Sequence, residues 1–135
     1  MITSAWHGKA LDVPWESHLD TVHRWEAHGG KNQQWCFDDI EEGAYVIRSF
    51  FTGRCIEIPD HSCTDATQVR QVEYSGERNQ QWMVTRQQNG TCRIHNRHSG
   101  KCLDVLGWNK DDGARVGQWR CKGAANQNWR IEPPL

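Results

Sequence analysis

One four-residue motif, Asn-Gln-x-Trp, occurs three times in the chain at a fixed interval. The copies end at Trp35, Trp82 and Trp129, and both intervals are 47 residues long. Repetition at a fixed period is the sequence signature of an architecture built from equivalent structural units. We therefore expect three copies of one unit, so that any site in one copy should have counterparts in the other two.

A second shared pattern precedes each copy of the motif. It consists of a glycine, a basic residue and, one position later, an apolar-acid-apolar triplet. The triplets occupy residues 11–13, 56–58 and 103–105. A valine aligns between triplet and motif, and three residues beyond it the chain has Trp25, Val72 and Trp119. The repeats fall at about 1–43, 44–90 and 91–135, and they tile residues 1–135 as one domain.

The composition argues against two classes of partner. The net charge is −1 with mixed signs and no basic patch, so we expect no nucleic-acid partner. No apolar run approaches the length of a membrane span, so we expect no membrane insertion. The first residues belong to the first repeat and do not resemble a signal peptide. Either the protein stays inside the cell, or a signal or another domain precedes this sequence.

Short alternating segments and frequent turns predict an all-β chain. In the first triplet Leu11 and Val13 face one way and Asp12 the other, as in a half-buried strand. Turn signals are dense, no segment has a sustained helical period, and closing the sheet would remove its exposed edges. The chain has eight tryptophans. The three in the motifs are expected to build a shared core, each with its indole N–H bonded to one partner.

Together these features resemble the ricin B-type β-trefoil lectins, which include the family 13 carbohydrate-binding modules. The resemblance covers the whole chain and rests on the triplet, the valine, the aromatic residue and the motif, repeated three times. It implies a β-trefoil, a six-stranded barrel capped by three hairpins with threefold pseudosymmetry. It also implies non-catalytic carbohydrate binding without a cofactor. Galactose or N-acetylgalactosamine is the first expectation, although related modules prefer xylan, arabinose or mannose.

The resemblance further implies sugar sites built from a carboxylate, an aromatic ring and amides. This chemistry suits a pyranose, because the ring covers the C–H face while the carboxylate and amides bond hydroxyls. The first repeat supplies Asp12, His23, Trp25, Asn32 and Gln33. The third supplies Asp104, Trp119, Asn126 and Gln127, with Gln118 beside the family's usual glutamine position, which is Gly117 here. The second keeps Glu57, Asn79 and Gln80 but has Val72 in place of the ring, so we expect a weak or vestigial site.

Two further tryptophans lie in loops near the proposed site residues. Trp15 lies in the shortened loop of the first repeat, and Trp108 is a candidate wall for the third site.

Two alternative interpretations remain open. In the first, the motif amides only form hydrogen bonds to backbone groups, since they persist in the second repeat, which has no ring. The whole chain is alternatively a trefoil scaffold for a protein partner, as a toxin subunit or inhibitor. We expect no catalysis, because no acidic pair stands out as a glycosidase acid and nucleophile; fusion to a catalytic or toxin domain remains compatible with the pattern.

The resemblance also bears on the six cysteines. Cys102 and Cys121 occupy the positions of the intra-repeat disulfide in the resembled family, which implies that bond. A disulfide favours an extracellular location over a cytoplasmic one. Cys55 lacks this partner, because Tyr74 occupies the equivalent position. Cys63 is a substitute partner that sequence alone does not establish.

The remaining cysteines, Cys36 and Cys92, are interpreted as free thiols. Cys92, His95 and His98 have a spacing that suits a metal site. On a strand, however, alternation places His95 on the face opposite the other two. We therefore expect no metal site.

Overall fold

The computed structural model describes residues 1–15 and 20–135, and within them it contains twelve strands and five single-turn 3-10 helices. The strands are β1 (Ile2–Ser4), β2 (Ala10–Asp12), β3 (His23–Trp25), β4 (Trp35–Glu41), β5 (Ala44–Ser49), β6 (Cys55–Glu57), β7 (Arg70–Val72), β8 (Trp82–Arg86), β9 (Cys92–Asn96), β10 (Cys102–Val105), β11 (Ala114–Trp119) and β12 (Trp129–Ile131). The 3-10 helices are Lys31–Gln33, Pro59–His61, Arg78–Gln80, Leu106–Trp108 and Ala125–Gln127. None of the helices in the described residues is long and apolar enough to cross a membrane.

The twelve strands form three sets of four, one set for each sequence repeat. The first and fourth strands of the sets pair in the antiparallel order β1–β12–β9–β8–β5–β4. The second and third strands form the hairpins β2–β3, β6–β7 and β10–β11. Further pairings of β1 with β2, β3 with β11 and β9 with β10 close a circuit of seven strands. The all-β prediction is confirmed, and the threefold arrangement is that of a β-trefoil.

The three motif tryptophans occupy equivalent core positions. Trp35, Trp82 and Trp129 begin β4, β8 and β12, and all three are buried. Each indole N–H donates to a triplet carbonyl oxygen of its own repeat, at 3.0 Å from Leu11, 3.1 Å from Ile56 and 3.0 Å from Leu103. A buried N–H without an acceptor would cost about 1–3 kcal/mol. These bonds therefore fix each fourth strand against its second strand, and the prediction of a tryptophan core is confirmed.

Candidate functional site

In the first repeat, the Asp12 carboxylate lies at the base of an open cavity of about 300 Å³. Seven residues line this cavity: Asp12, Pro14, Trp15, His23, Trp25, His28 and Asn32. Asp12 is 3% exposed, whereas Trp25, which lines the same cavity, is 41% exposed. The cavity therefore joins a buried anionic group to an accessible aromatic ring.

Three side chains hold the Asp12 carboxylate in one orientation. His23 Nε2 lies 2.8 Å from Asp12 Oδ1. Gln33 Nε2 and Asn32 Nδ2 donate to Asp12 Oδ2 at 2.8 and 3.3 Å. The His23 ring also stacks on Trp25, with 5.4 Å between ring centroids and 29° between planes. The hairpin β2–β3 produces this geometry, because its register places His23 directly opposite Asp12.

Gln33 makes all four of its side-chain hydrogen bonds within the protein. Its Nε2 donates to Asp12 Oδ2 and to the Glu26 carbonyl oxygen at 2.8 and 2.9 Å. Its Oε1 accepts from the backbone N–H groups of His28 and Gly29 at 2.9 and 3.1 Å. The side chain is fully buried. Gln33 therefore lies behind the carboxylate and orients it.

The equivalent glutamines in the other repeats have the same role. Gln127 Nε2 donates to Asp104 Oδ2 and to a backbone carbonyl, both at 2.9 Å, and its Oε1 accepts from Lys122 N. Gln80 Nε2 donates to Glu57 Oε1 at 3.0 Å. Each glutamine thus links the triplet carboxylate to the turn before the motif. This agrees with the alternative interpretation of the glutamines as structural groups.

The motif asparagines differ from the glutamines because one of their polar atoms has no partner. Asn32 Nδ2 donates to the Val13 carbonyl oxygen at 3.0 Å, and Asn126 Nδ2 donates to Asp104 Oδ1 at 3.1 Å. The Oδ1 atoms of Asn32, Asn79 and Asn126 are buried and have no hydrogen-bond donor among the described residues. A buried acceptor without a donor is unfavourable by about 1–3 kcal/mol. Because the second repeat shares this feature although it has no ring, the feature belongs to the common fold of the three repeats.

In the third repeat, the carboxylate faces a glycine. The register pairs Asp104 with Gly117, where the first repeat pairs Asp12 with His23. The Asp104 carboxylate is 3% exposed, and this burial is the largest effect that raises its pKa. The carboxylate therefore has fewer side-chain partners here than in the first repeat.

Two of the other predicted third-site residues bond Asp104, and Trp119 lies two residues beyond Gly117 on the facing strand. Trp119 ends β11 and is half-buried, and Lys122 Nζ lies 5.7 Å from the centroid of its ring. Asn126 and Gln127 bond the two oxygens of the Asp104 carboxylate. In the first repeat the acid, ring and asparagine line one cavity, and in the third repeat the acid and asparagine are bonded while the ring occupies the equivalent strand position.

A loop of the second repeat explains the glycine at position 117. A Cβ atom there would lie 2.4 Å from the Thr67 carbonyl oxygen and 2.8 Å from Leu106 Cδ1. The backbone of this loop bonds both backbone groups of Gln118, because Gln118 N donates to Thr67 O at 2.9 Å and Ala66 N donates to Gln118 O at 2.8 Å. The space that a side chain would need is filled by the neighbouring repeat.

Gln118 does not reach the third site. It pairs with Leu103 and its side chain is fully buried. Its Nε2 donates to the carbonyl oxygens of Ser62 and Thr64 at 3.0 and 2.9 Å, and its Oε1 accepts from Ser99 Oγ at 2.7 Å. Neighbouring residues of a strand point to opposite faces. We therefore correct the assignment of Gln118, which anchors the loop of the second repeat.

In the second repeat, an arginine occupies the position that faces the carboxylate. Arg70 Nε donates to Glu57 Oε2 at 2.8 Å, and Gln80 bonds the other carboxylate oxygen. Asn79 Nδ2 donates to a backbone carbonyl at 2.8 Å, and Val72 replaces the aromatic ring. The sequence analysis missed Arg70, although it lies two residues before Val72, as His23 lies two residues before its tryptophan.

An aspartate from the third repeat stabilises the strand that carries Trp25. Asp112 Oδ1 accepts from Lys9 Nζ and from the backbone N–H of Glu26, both at 2.8 Å. Glu26 directly follows Trp25 in the chain. The Lys9 hydrogen bond is the largest effect that lowers the pKa of Asp112. The first site therefore depends on a loop outside its own repeat.

The third site has the same support from the second repeat. Asp65 Oδ1 accepts from Lys101 Nζ at 2.8 Å and from Arg120 N at 2.9 Å, and Arg120 directly follows Trp119. The lysine bond is again the largest effect that lowers the pKa of this aspartate. Sequence reasoning missed both aspartates, although Asp65 and Asp112 are separated by the same 47 residues as the motif tryptophans.

The predicted disulfide is confirmed. Cys102 and Cys121 are bonded and lie 19 residues apart in sequence. Cys55 and Cys63 are free thiols, so the substitute pairing considered for them does not form. Cys36 and Cys92 are also free. Among the described residues, no group of three histidine, cysteine or acidic side chains is arranged to hold a metal ion.

Comparison with solved structures finds close relatives of this fold. A designed threefold-symmetric protein, ThreeFoil, is 37% identical with a TM-score of 0.92, over 96% of this chain and 94% of that one. The exo-β-1,3-galactanase 1,3Gal43A from Clostridium thermocellum is 32% identical with a TM-score of 0.89, over 96% of this chain and 28% of the galactanase. A ricin B-like lectin from Macrolepiota procera, solved in complex with lactose, is 26% identical with a TM-score of 0.84, over 98% and 93% of the two chains.

Sequence comparison gives the same relationship at the level of the family. No curated protein sequence matches the chain significantly. The family model described as ricin-type β-trefoil lectin domain-like matches residues 1–72, 31–119 and 78–134, which together cover nearly the whole chain. The protein therefore belongs to the ricin-type β-trefoil lectin domain-like family.

Proposed function

We propose that the protein binds carbohydrate without catalysing a reaction, through sites in the first and third repeats. The observation that carries this proposal is the Asp12 carboxylate at the base of a cavity of about 300 Å³ beside the accessible ring of Trp25. A carboxylate accepts strong hydrogen bonds from hydroxyls, and an indole face covers apolar C–H groups. Asn32 lines the same cavity and contributes an amide beside the carboxylate. A pyranose combines the matching hydroxyls with an apolar face.

The third repeat offers the same three groups with one difference. Asp104, Trp119 and Asn126 correspond to the acid, ring and amide of the first site. Gly117 leaves Asp104 without the imidazole partner that Asp12 has. The carboxylate there depends more on ligand hydroxyls for its hydrogen bonds, so we expect the two sites to differ in affinity. Sites of this type are individually weak, on the order of −4 to −5 kcal/mol, and two on one rigid barrel gain avidity on a multivalent glycan.

Glycans of the galactose type are the proposed ligands. Two relatives support this choice, namely the lectin solved with lactose, a galactose-containing disaccharide, and the enzyme named as a β-1,3-galactanase. The chain spans 28% of that galactanase, which supports a role as the binding module of a larger glycan-active protein as well as a role as an independent lectin. The Cys102–Cys121 disulfide supports an extracellular location.

Titration followed by NMR of the indole N–H signals tests the proposal. Galactose should shift the signals of Trp25 and Trp119, and each response should disappear in Trp25→Ala or Trp119→Ala. Phe50→Ala is the control, because Phe50 is exposed and belongs to neither proposed site. Asp12→Asn should weaken the Trp25 response without unfolding the protein.

The choice of sugars makes the titration decisive. Shifts with xylose or mannose oligosaccharides, but not with galactose, would keep carbohydrate binding and reject the galactose assignment. Silence of all indoles at tens of millimolar, where a site of roughly millimolar affinity fills, would reject carbohydrate binding altogether. A protein partner for the trefoil scaffold would then be the better hypothesis.

A further inference from the structure

The first site contains a second exposed indole that the proposed contacts with one sugar do not use. Trp15 is 57% exposed and lines the same cavity as Asp12 and Trp25. Single exposed apolar residues are ordinary, but two large rings that share one cavity indicate a binding surface. The site therefore has an exposed apolar surface in addition to the ring of Trp25 on which the first sugar stacks.

The ring of Trp15 is held in place although most of it faces solvent. It packs edge-to-face on Phe51 of the second repeat, with 5.4 Å between centroids and 76° between planes. Phe51 is fixed in turn, because its backbone N–H donates to Ser49 Oγ at 3.1 Å and Lys31 Nζ lies 5.1 Å from its ring centroid. An ordered ring loses little conformational entropy when a ligand stacks on it.

The same contact between loops occurs in all three repeats but presents different groups. Trp108 packs on Trp6 and His61 packs on His98, with centroid distances of 5.3 and 5.2 Å. The edge-to-face contact is therefore part of how the trefoil joins its repeats. Only the ring at the first repeat, Trp15, is among the residues that line the cavity at Asp12. The first and third repeats thus both present an exposed indole at this position, and Trp15 is the one that lines the cavity at Asp12.

We propose that Trp15 forms a second sugar subsite, so that the first repeat binds an oligosaccharide of at least two pyranose units. One unit bonds Asp12 and stacks on Trp25, and the next unit stacks on the exposed face of Trp15. The ligand class is a neutral galactose-containing oligosaccharide. This inference rests on the proposed function, and it adds the length of chain that the first site recognises.

The test compares galactose with β-1,3-linked galactobiose in a Trp119→Ala background, where the third site contributes no ring. Isothermal titration calorimetry and indole NMR should show galactobiose binding about fivefold more tightly than galactose, as expected when part of a second ring is buried. In Trp15→Ala this advantage should fall below about twofold while galactose affinity is unchanged. Trp15→Phe should retain part of the affinity advantage of galactobiose over galactose, and Trp108→Ala should retain all of that advantage.

Distinct outcomes separate this inference from the proposed function. Equal affinity for galactose and galactobiose before Trp15 is replaced would overturn the second subsite and leave sugar binding intact. An equal loss of affinity for both sugars in Trp15→Ala would place Trp15 in the primary site and would also overturn the second subsite. Absence of binding for either sugar would reject both proposals. The indole spectrum of each variant reports whether the fold is retained.

Discussion

Replacement of Gly117 by alanine tests the close contact between the third site and the loop of the second repeat. The new Cβ atom would lie 2.4 Å from the Thr67 carbonyl oxygen, 3.0 Å from the Thr67 carbonyl carbon and 2.8 Å from Leu106 Cδ1. The Leu106 methyl group can rotate, but the Thr67 atoms belong to the backbone. The strand and the loop must therefore separate by about 1 Å to reach ordinary van der Waals distance.

The expected loss of stability follows from that displacement. Overpacking in a tightly packed region costs about 1–3 kcal/mol. The upper half of the range applies, because the backbone hydrogen bond from Gln118 N to Thr67 O, 2.9 Å long, must stretch as the loop moves. A chain of this length loses about 3–4 °C of melting temperature per kcal/mol, so Gly117→Ala should melt about 6–12 °C lower.

The same displacement should weaken the third site specifically. Asp65 belongs to the displaced loop, and it accepts the N–H of Arg120 beside Trp119. We expect the Trp119 indole to need several-fold more sugar for half-saturation, while the Trp25 indole responds as in the parent. Urea denaturation measures the stability change, and indole NMR measures the two sites separately.

Gly30→Ala is the matched control for stability. Gly30 has a φ of −63°, which alanine adopts without strain, and its added Cβ would meet side-chain atoms of His28 and Asn32 at 2.8–3.0 Å. The exposed His28 ring can move, so the loss should stay below about 1 kcal/mol. If Gly117→Ala is as stable as Gly30→Ala, the approach of Thr67 is not rigid and the explanation for the glycine is refuted.

Three further predictions concern stability. Trp82→Phe removes the donor to the buried Ile56 carbonyl and leaves a cavity, so urea denaturation should show a loss of about 2–4 kcal/mol; a loss below 1 kcal/mol would contradict the role of the indole bond. Joint replacement of Cys102 and Cys121 by alanine should cost about 3 kcal/mol, since the bond closes a loop of 19 residues, and reductant should then have no further effect. The pKa of Asp65 is lowered from 3.8, so its stabilising contribution is complete above about pH 4 and is lost as the pH falls through the folded-state pKa. Thermal melts from pH 5 to pH 2 should therefore fall less steeply for Asp65→Asn, and an unchanged slope would contradict its pairing with lysine.

The fold and the core could be predicted from the sequence because they repeat. Equal spacing of Trp35, Trp82 and Trp129 requires equivalent environments, and the structure gives each indole a triplet carbonyl in its own repeat. The disulfide could be predicted for a similar reason, since Cys102 and Cys121 belong to one repeat of a known pattern. Features contained within one repeat could therefore be predicted from the sequence.

Features that depend on strand register or on contacts between repeats were harder to predict from the sequence. A shift of one position separates Gln118, which anchors a loop, from Gly117, which faces the carboxylate. The motif glutamines were assigned to ligand contact because amides suit hydroxyls, yet Gln33 already uses both ends of its amide inside the protein. Asp112 supports the first site from the third repeat, and its contact with Glu26 spans 86 residues of sequence. Asp65 and Asp112 do follow the repeat period of 47 residues, but the period alone does not show which residues of another repeat they contact.

The residue that faces the triplet carboxylate differs among the three repeats, and so does the suitability of each repeat for binding a ligand. Each hairpin carries a buried acid at an equivalent position, but the residue paired with that acid is His23, Arg70 or Gly117. Arginine is always charged, so its bond to Glu57 supplies both a counterion and a donor within the protein. A glycine supplies no donor, so Asp104 has only Asn126 and Gln127 as side-chain partners, whereas Asp12 has three. The counterion is therefore what distinguishes the second repeat, and the same repeat has Val72 in place of the aromatic ring. An aspartate without an arginine partner and an aromatic ring thus occur together in the first and third repeats, as expected if ligand binding rather than folding determined both positions.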